Sequence, residues 1–124
     1  MSDQKLWTWH MTAGLVIFVL LGLHMVIMHL DQILRVFNPA GGKPVDWANV
    51  AERAKSVFFA VSYVVLLGAA LFHGLYGLRN ILCEAISSAG AQKAIGTVLL
   101  ALGLGLFGLG TVAAIASLAL AGKA

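Results

Sequence analysis

Charged residues are scarce in this sequence. Of its 124 residues only eight are Lys or Arg and five are Asp or Glu, so 10% of the chain is charged, whereas a soluble domain carries about 25%. So few charges cannot cover the surface of a soluble globular protein, which excludes an ordinary soluble enzyme. The basic residues are scattered rather than clustered on one face, which excludes a nucleic-acid-binding surface.

The usual elements of catalytic and disulfide-bonded proteins are also missing. The single Cys83 excludes an internal disulfide. The apolar runs contain no carboxylate pair, and the sequence has no CxxC motif and no phosphate-binding loop, so nothing indicates hydrolysis or group transfer. The first apolar run is too long for a signal peptide and lacks a small-residue cleavage site.

Hydrophobic residues make up 60% of the chain, and they are concentrated in three runs. The runs cover about residues 12–34, 57–82 and 94–121, and each reaches the roughly 20 residues that a helix needs to cross a bilayer. Trp7 and Trp9 stand before the first run as interfacial anchors. The sequence therefore predicts an all-α membrane protein, with residues 1–124 forming one domain of three transmembrane helices.

A short amphipathic helix is predicted between the first two runs. Helix-breaking residues precede it, namely Pro39, Gly41, Gly42 and Pro44. Asp46 is placed to cap a helix over residues 47–55, in which Trp47, Val50 and Ala54 share one face. We expect this helix to lie on the membrane surface. The third run contains Gly103, Gly105, Gly108 and Gly110, whose spacing favours close packing against another helix.

Four histidines are the most informative polar residues. His24 and His73 lie inside apolar runs, His29 lies near the end of the first run, and His10 lies at its start, where it can reach water. Ionisable groups within a span are costly and mark functional sites. A buried neutral imidazole can be an axial ligand to haem iron, but it can also hydrogen-bond to a neighbouring helix.

The neighbourhood of His73 favours a haem ligand. Gly77 follows it by four residues on the same helix face and Gly68 precedes it by five, and residues without side chains leave room for a flat porphyrin. Counting from the ends of their runs places His24 and His73 at depths that differ by roughly 7 Å. This difference predicts two haems with one ligand each from this chain, so a partner subunit or a second copy supplies the others unless His10 or His29 does.

Arginines at both ends of the runs are further candidates. Arg79 lies near the exit of the second run and can hold a haem propionate or a quinone oxygen, although a topology-setting charge at the membrane surface explains it equally well. Arg35 and Arg53 flank the opposite loop and are candidates for the propionates of the other haem.

One segment carries a resemblance to a known family. Residues 71–84, LFHGLYGLRNILCE, resemble the pattern His-x3-Gly-[Leu/Ile]-Arg-x4-[Asp/Glu] in the second helix of succinate dehydrogenase and fumarate reductase membrane anchors of the cytochrome b type. The first apolar run is similar to the matching first helix, so the likeness covers residues 6 to about 84. The sequence departs from the family where many anchors have Arg after the position of Met11, in a His-Arg or Gln-Arg pair, and where many have Asp-Tyr in place of Glu84-Ala85.

The resemblance implies a function and a set of partners. The family's anchors bind haem b and quinone beneath a flavoprotein subunit and an iron–sulfur subunit, together with a second membrane anchor subunit. By position, the resemblance makes His24 the ligand of a distal haem and His73 the ligand of a proximal one. Trp9, His10 and Arg79 are then the local candidates for a proximal quinone site. The chain would transfer electrons without acting on succinate itself.

The resemblance also implies a location, in the cytoplasmic membrane of a bacterium or archaeon with the N-terminus on the cytoplasmic side. The distribution of basic residues favours the opposite orientation by five charges to three, and we adopt the orientation of the family because a docked partner can override so small a bias. Two alternatives remain open at this point. One is a cytochrome b subunit of another quinone-linked dehydrogenase, and the other is a structural or assembly membrane subunit without a cofactor.

Overall fold

The all-α fold is confirmed by a computed structural model, which describes residues 3–30 and 41–121. Helix α1 covers Asp3–Met25 and continues into a π-helical segment, Val26–Leu30. A short helix α2 covers Trp47–Ala54, and two long helices follow, α3 over Val57–Ala85 and α4 over Ala89–Ala121. The described ranges contain no β-strand.

Three of these helices are long and apolar enough to cross a membrane. The potential spans are Gln4–His29, Val57–Ala85 and Ala89–Leu120. The first therefore starts at Gln4 rather than near residue 12, while its predicted end near residue 34 lies outside the described residues. The early start is possible because polar side chains in the first turns bond to their own helix. Thr8 donates to the carbonyl of Gln4 and Thr12 to that of Thr8, each at 2.9 Å.

Helix α3 lies between α1 and α4 and packs against both. Glycines of α4 allow the second of these contacts. A Cβ on Gly103 would stand 2.8 Å from Cδ1 of Leu75, and one on Gly110 would collide with Cδ2 of Leu67. These two glycines therefore make room for leucine side chains of α3, in agreement with the predicted role of small residues in helix packing.

The other two glycines of the predicted set lie elsewhere on the helix. A Cβ on Gly105 or Gly108 would meet no atom within 4 Å. In the sequence these glycines lie between Gly103 and Gly110. On the helix, however, Gly103 and Gly110 face α3, whereas Gly105 and Gly108 lie on a side of α4 that contacts no other residue within this distance.

The turn between α3 and α4 is closed by side-chain hydrogen bonds. Gln92 donates through Nε2 to the carbonyl of Cys83 at 3.0 Å and to that of Ile86 at 2.7 Å. Cys83 lies in the last turn of α3 and Ile86 directly follows the helix, where backbone carbonyls have no partner within the helix. Ser88 precedes α4, and its hydroxyl accepts from the backbone N–H of Ala91 at 3.4 Å.

The segment before α2 is braced by two buried polar side chains of that helix. Asn49 donates through Nδ2 to the carbonyls of Gly41 and Lys43, at 2.8 and 3.1 Å, and Arg53 donates through Nη2 to the carbonyl of Pro44 at 2.6 Å. Asn49 and Arg53 are only 1% and 5% exposed. The inner side of α2 is thus polar, because it satisfies backbone carbonyls of the preceding loop.

Asp46 occupies the position before α2, as predicted, but its carboxylate makes no capping bond to the helix. It accepts instead from the backbone N–H of Lys43 at 2.7 Å. The backbone carbonyl of Asp46 accepts from the N–H groups of Asn49 and Val50. Gly41 and Gly42 both have φ near +70°, a conformation that glycine adopts without a steric penalty. The Asp46 carboxylate therefore stabilises the turn that begins at Lys43, rather than the first turn of α2.

The outer side of α2 is apolar. Trp47 is 81% exposed and Val50 is 37% exposed, and Val45 just before the helix is 67% exposed. Helix α2 itself packs on α3 and α4. An apolar outer side next to three potential spans is the arrangement expected of a helix that rests on a membrane surface.

Candidate functional site

The most distinctive contact in the molecule joins two histidines. His10 of α1 and His73 of α3 stack with ring centroids 4.0 Å apart and an angle of 6° between their planes. Both side chains are half-buried, at the interface of α1 and α3. The sequence interpretation placed His10 at the water surface, whereas the fold brings it onto the face of the predicted haem ligand.

A hydrogen bond determines which ring nitrogen of His73 carries the hydrogen. Its Nδ1 lies 3.1 Å from the backbone carbonyl oxygen of His10. A carbonyl oxygen can only accept, so Nδ1 carries the hydrogen and donates it. In the neutral imidazole the lone pair then resides on Nε2, which is the atom left to bind a metal. Metal-ligating histidines commonly donate their other ring N–H to a backbone carbonyl in this way.

Two glycines allow the histidines to come this close. A Cβ on Gly14 would stand 3.1 Å from Cε1 of His73, and one on Gly77 would stand 3.4 Å from Cε1 of His10. Gly77, which was expected to leave room for a porphyrin, therefore faces His10 in this structure. Gly68, which was expected to leave room for a porphyrin as well, instead faces α4, because a Cβ there would stand 3.1 Å from the ring of Phe107.

An aromatic side chain, Tyr76, lies against the pair. The ring of Tyr76 lies 5.3 Å from that of His10 at a tilt of 51°, and Tyr76 also stacks on Phe72 at 5.7 Å. The Nδ1 atom of His10 is buried and has no hydrogen-bond partner within the described part of the chain. A metal cannot reach that atom in this conformation, and Nδ1 of His73 is engaged by its hydrogen bond.

His24 lies in a different environment. It is half-buried, and its ring meets that of Tyr63 edge-on, with centroids 6.4 Å apart and planes 75° apart. The cavity beside it holds only about 20 Å³ and is lined by apolar and aromatic residues, Phe58, Phe59 and Leu66 among them. A porphyrin cannot enter that space, so a haem on His24 would lie against the outside of this chain.

The two predicted ligands are farther apart than the sequence count suggested. His10 is level with His73, and His24 follows His10 by 14 residues on the same helix. At 1.5 Å per residue this is about 21 Å along α1, rather than roughly 7 Å. The sequence count took the end of the first run as level with the start of the second, whereas the contact between His10 and His73 sets a different register of α1 against α3. One haem cannot bridge this separation.

A larger cavity lies between α3 and α4, near the His10–His73 pair. It has a volume of about 860 Å³ and is lined mainly by leucine, glycine and aromatic side chains, with Arg79, Asn80 and Gln92 as polar residues. Tyr76 lines the cavity and also contacts His10. Arg79 is exposed, and its Nε would be 3.2 Å from a Cβ on Gly96 of α4. The fold thus places a cation on the wall of an apolar cavity.

The remaining predicted site residues are not part of this arrangement. Trp9 is 59% exposed and His29 is exposed as well. The guanidinium of Arg53 is buried against the loop before α2, where it bonds to Pro44. Arg35 lies outside the described residues.

The sequence interpretation missed the roles of Gly14 and Tyr76. A signal for Gly14 was present, because it follows His10 by four residues and therefore shares its helix face. Tyr76 follows His73 by three residues, which also places it on the same side of its helix. What the spacing could not provide is the register of α1 against α3.

Comparisons of the chain with protein-family models, with curated proteins and with solved structures found no match. Over residues 3–30 and 41–121 the fold is all-α, with three helices able to span a membrane. The site within it is a stacked histidine pair beside an apolar cavity. Such a pair can supply a metal ligand, or it can simply join two helices by a polar contact.

Proposed function

We propose that the chain is the haem b-binding membrane anchor subunit of a succinate:quinone or quinol:fumarate oxidoreductase, which passes electrons between an iron–sulfur subunit and membrane quinone. The observation that carries the proposal is the hydrogen bond from Nδ1 of His73 to the carbonyl of His10. It leaves Nε2 as the coordinating atom of an imidazole within a potential span. The motif around His73 supports the same function.

The residues present fit the proposed cofactor. His73 would hold one haem iron through Nε2, and the stack with His10 covers only the face of its ring. Its Nδ1 is engaged by the carbonyl of His10, so Nε2 is the ring nitrogen whose lone pair could bind the iron. His24 would hold a second haem about 21 Å away along α1. A bound haem supplies a one-electron carrier whose potential depends on its axial ligands and burial.

Partner subunits complete the proposed sites. His24 and His73 would each be the only ligand to their haem from this chain, so a second membrane anchor subunit would supply the other two. The flavoprotein and iron–sulfur subunits would cover the N-terminal end of α1, on the cytoplasmic side of a bacterial or archaeal cytoplasmic membrane. His73 lies toward this end and His24 toward the other, which supports a proximal and a distal haem.

The cavity between α3 and α4 supports a role for quinone. Its apolar lining suits an isoprenoid tail, and Arg79 can donate to a quinone oxygen or to a haem propionate. Tyr76 connects the cavity wall to His10 and thereby to His73. Tyr76 would therefore belong both to the quinone site and to the surroundings of the histidine pair.

The experiment that tests the proposal is a haem count on the complex purified from native membranes through an affinity tag on this chain. Two b-type haems for each flavin are expected in the dithionite-reduced minus oxidised spectrum. His73→Ala is expected to remove one of them while the complex still assembles. His29→Ala is the matched control, because His29 is exposed and should leave the haem content unchanged.

The other outcomes separate the alternatives. Haem without a copurifying flavoprotein would indicate the cytochrome b subunit of another quinone-linked dehydrogenase. Absence of haem from the intact complex would leave a structural or assembly subunit. An unchanged haem content in the His73→Ala complex would contradict His73 as a ligand.

A further inference from the structure

The proposed haem ligand has a second residue fixed against it. On the basis of the proposed haem site, we infer that His10 is a positioning residue for His73. Its backbone carbonyl selects the tautomer of the ligand, and its stacked ring fixes the plane of the ligand. His10 would do this without binding the iron itself.

A hydrogen bond alone cannot fix an imidazole plane. The χ2 torsion of histidine joins an sp³ to an sp² carbon and has broad, shallow minima, so a ring can tilt while one nitrogen keeps its partner. The parallel ring of His10, with its centroid at 4.0 Å, restricts that tilt. The contact to the carbonyl and the contact to the ring come from the same residue, so any displacement of His10 alters both.

The surroundings of His10 suit a positioning role better than ligation. Its Nδ1 is buried and lacks a partner within the described residues, and Cε1 faces the backbone position of Gly77. Tyr76 lies against its ring. Three residues of α3 thus lie against the side chain of His10, namely Tyr76, Gly77 and His73. Gly14 of α1 leaves the space that the His73 ring occupies, because any side chain at position 14 would press on Cε1 of His73.

The plane of an axial imidazole can be measured independently of haem content. Its orientation sets the separation of the iron d orbitals, and the low-spin ferric EPR signal reports that separation. A residue that merely joins two helices would leave the position of this signal unchanged. The intact complex is therefore compared with its variants by the position of this signal and by the rate of haem loss.

Two substitutions at position 10 distinguish stacking from ligation. His10→Phe keeps a flat ring and is expected to retain haem with the same EPR signal. His10→Ala removes the ring and is expected to shift the signal and to weaken haem binding about 10-fold, the lower end of the range for outer partners of metal ligands. Loss of the haem in both variants would show that His10 is itself a ligand and would overturn the inference.

Gly14→Ala provides a second test that removes no polar group. The added Cβ would stand 3.1 Å from Cε1 of His73, so the ring must move and the EPR signal should shift. Gly105→Ala is the matched control, because its Cβ meets no atom within 4 Å and the gain in helix propensity is the same. If His10→Ala fails to assemble, an unshifted signal in Gly14→Ala would still overturn the inference, because the plane of the His73 ring would then not depend on its close contacts.

The failure of the inference is distinguishable from the failure of the proposed function. An intact complex without haem would contradict the proposed function, and His10 would then have no ligand to position. A complex whose haem depends on His73 but whose EPR signal is the same in wild type, His10→Ala and Gly14→Ala would overturn the inference alone.

Discussion

His24 and Tyr63 meet edge-on, with ring centroids 6.4 Å apart, along the same pair of helices that carries the His10–His73 stack. The two contacts are separated along α1 by about 21 Å. They form two distinct positions at which α1 presents a histidine to α3. This separation makes the two histidines independently testable.

If the chain has the function proposed above, His24→Ala is expected to remove one of two haems and to leave the other unchanged. The reason is distance, because a substitution more than 10 Å from the second site generally acts independently of it. The measurement is the reduced minus oxidised spectrum of the purified complex, together with that of His73→Ala. Tyr63→Phe is the matched control, since it keeps the ring that faces His24. Simultaneous loss of both haems in an assembled His24→Ala complex would contradict two separate sites.

The packing of α4 on α3 gives a prediction about stability. Gly110→Val would place side-chain atoms against Leu67, where even a Cβ collides. Overpacking of this kind typically costs about 1–3 kcal/mol. The measurement is the free energy of unfolding in mixed micelles, followed by far-ultraviolet circular dichroism as the denaturing detergent is increased. Gly108→Val is the control, because no atom lies within 4 Å of its Cβ position. Equal stability of the two variants would contradict the assigned rotation of α4.

These glycines show what the sequence could predict of the fold. Three apolar runs predict three spanning helices, because each run has the length of a spanning helix and a helix satisfies its own backbone groups in hydrocarbon. The start of α1 was harder to place, since Thr8 and Thr12 are polar and yet bond within the helix. Likewise, the spacing of the glycines indicated close packing, but only the rotation of the helix determines that Gly110 faces α3 and Gly108 does not.

The same limit applies to the candidate site. His24 and His73 stand out in the sequence because an ionisable group in an apolar run is costly. The partner of His73 does not stand out, because His10 lies 63 residues away on another helix. Its position depends on the register between α1 and α3, which side-chain packing sets and spacing does not encode. Gly14 permits that register, and its role becomes visible only with the two helices together.

The buried Arg53 gives a prediction for the loop before α2. Arg53→Ala removes the donor to the carbonyl of Pro44, and the loss of a buried hydrogen-bond partner costs about 1–3 kcal/mol. We expect faster proteolysis of the loop in vesicles and a lower free energy of unfolding. Glu52→Ala is the control, because it removes only the exposed ion pair with Lys55, and such pairs contribute about 0–1 kcal/mol. Equal protease sensitivity in both variants would contradict a bracing role for Arg53.

The exposed side of α2 gives a prediction about the membrane. Trp47 is 81% exposed in the isolated chain, and an exposed Trp on an apolar helix face favours the membrane–water interface. With Trp7→Phe and Trp9→Phe, Trp47 is the last of the three tryptophans, so its fluorescence can be measured alone. In vesicles of lipids brominated at different acyl positions, the strongest quenching is expected from bromine nearest the headgroups.

The control for this experiment is a chain in which Trp9 alone is kept, because that residue precedes most of the first span and should also be quenched by shallow bromine. Trp47 should in addition be poorly accessible to iodide in the surrounding water. If iodide quenches Trp47 efficiently while no brominated lipid does, α2 does not rest on the bilayer. Its apolar side would then be free to face another subunit, and the same measurement on the complete complex would show whether that subunit shields it.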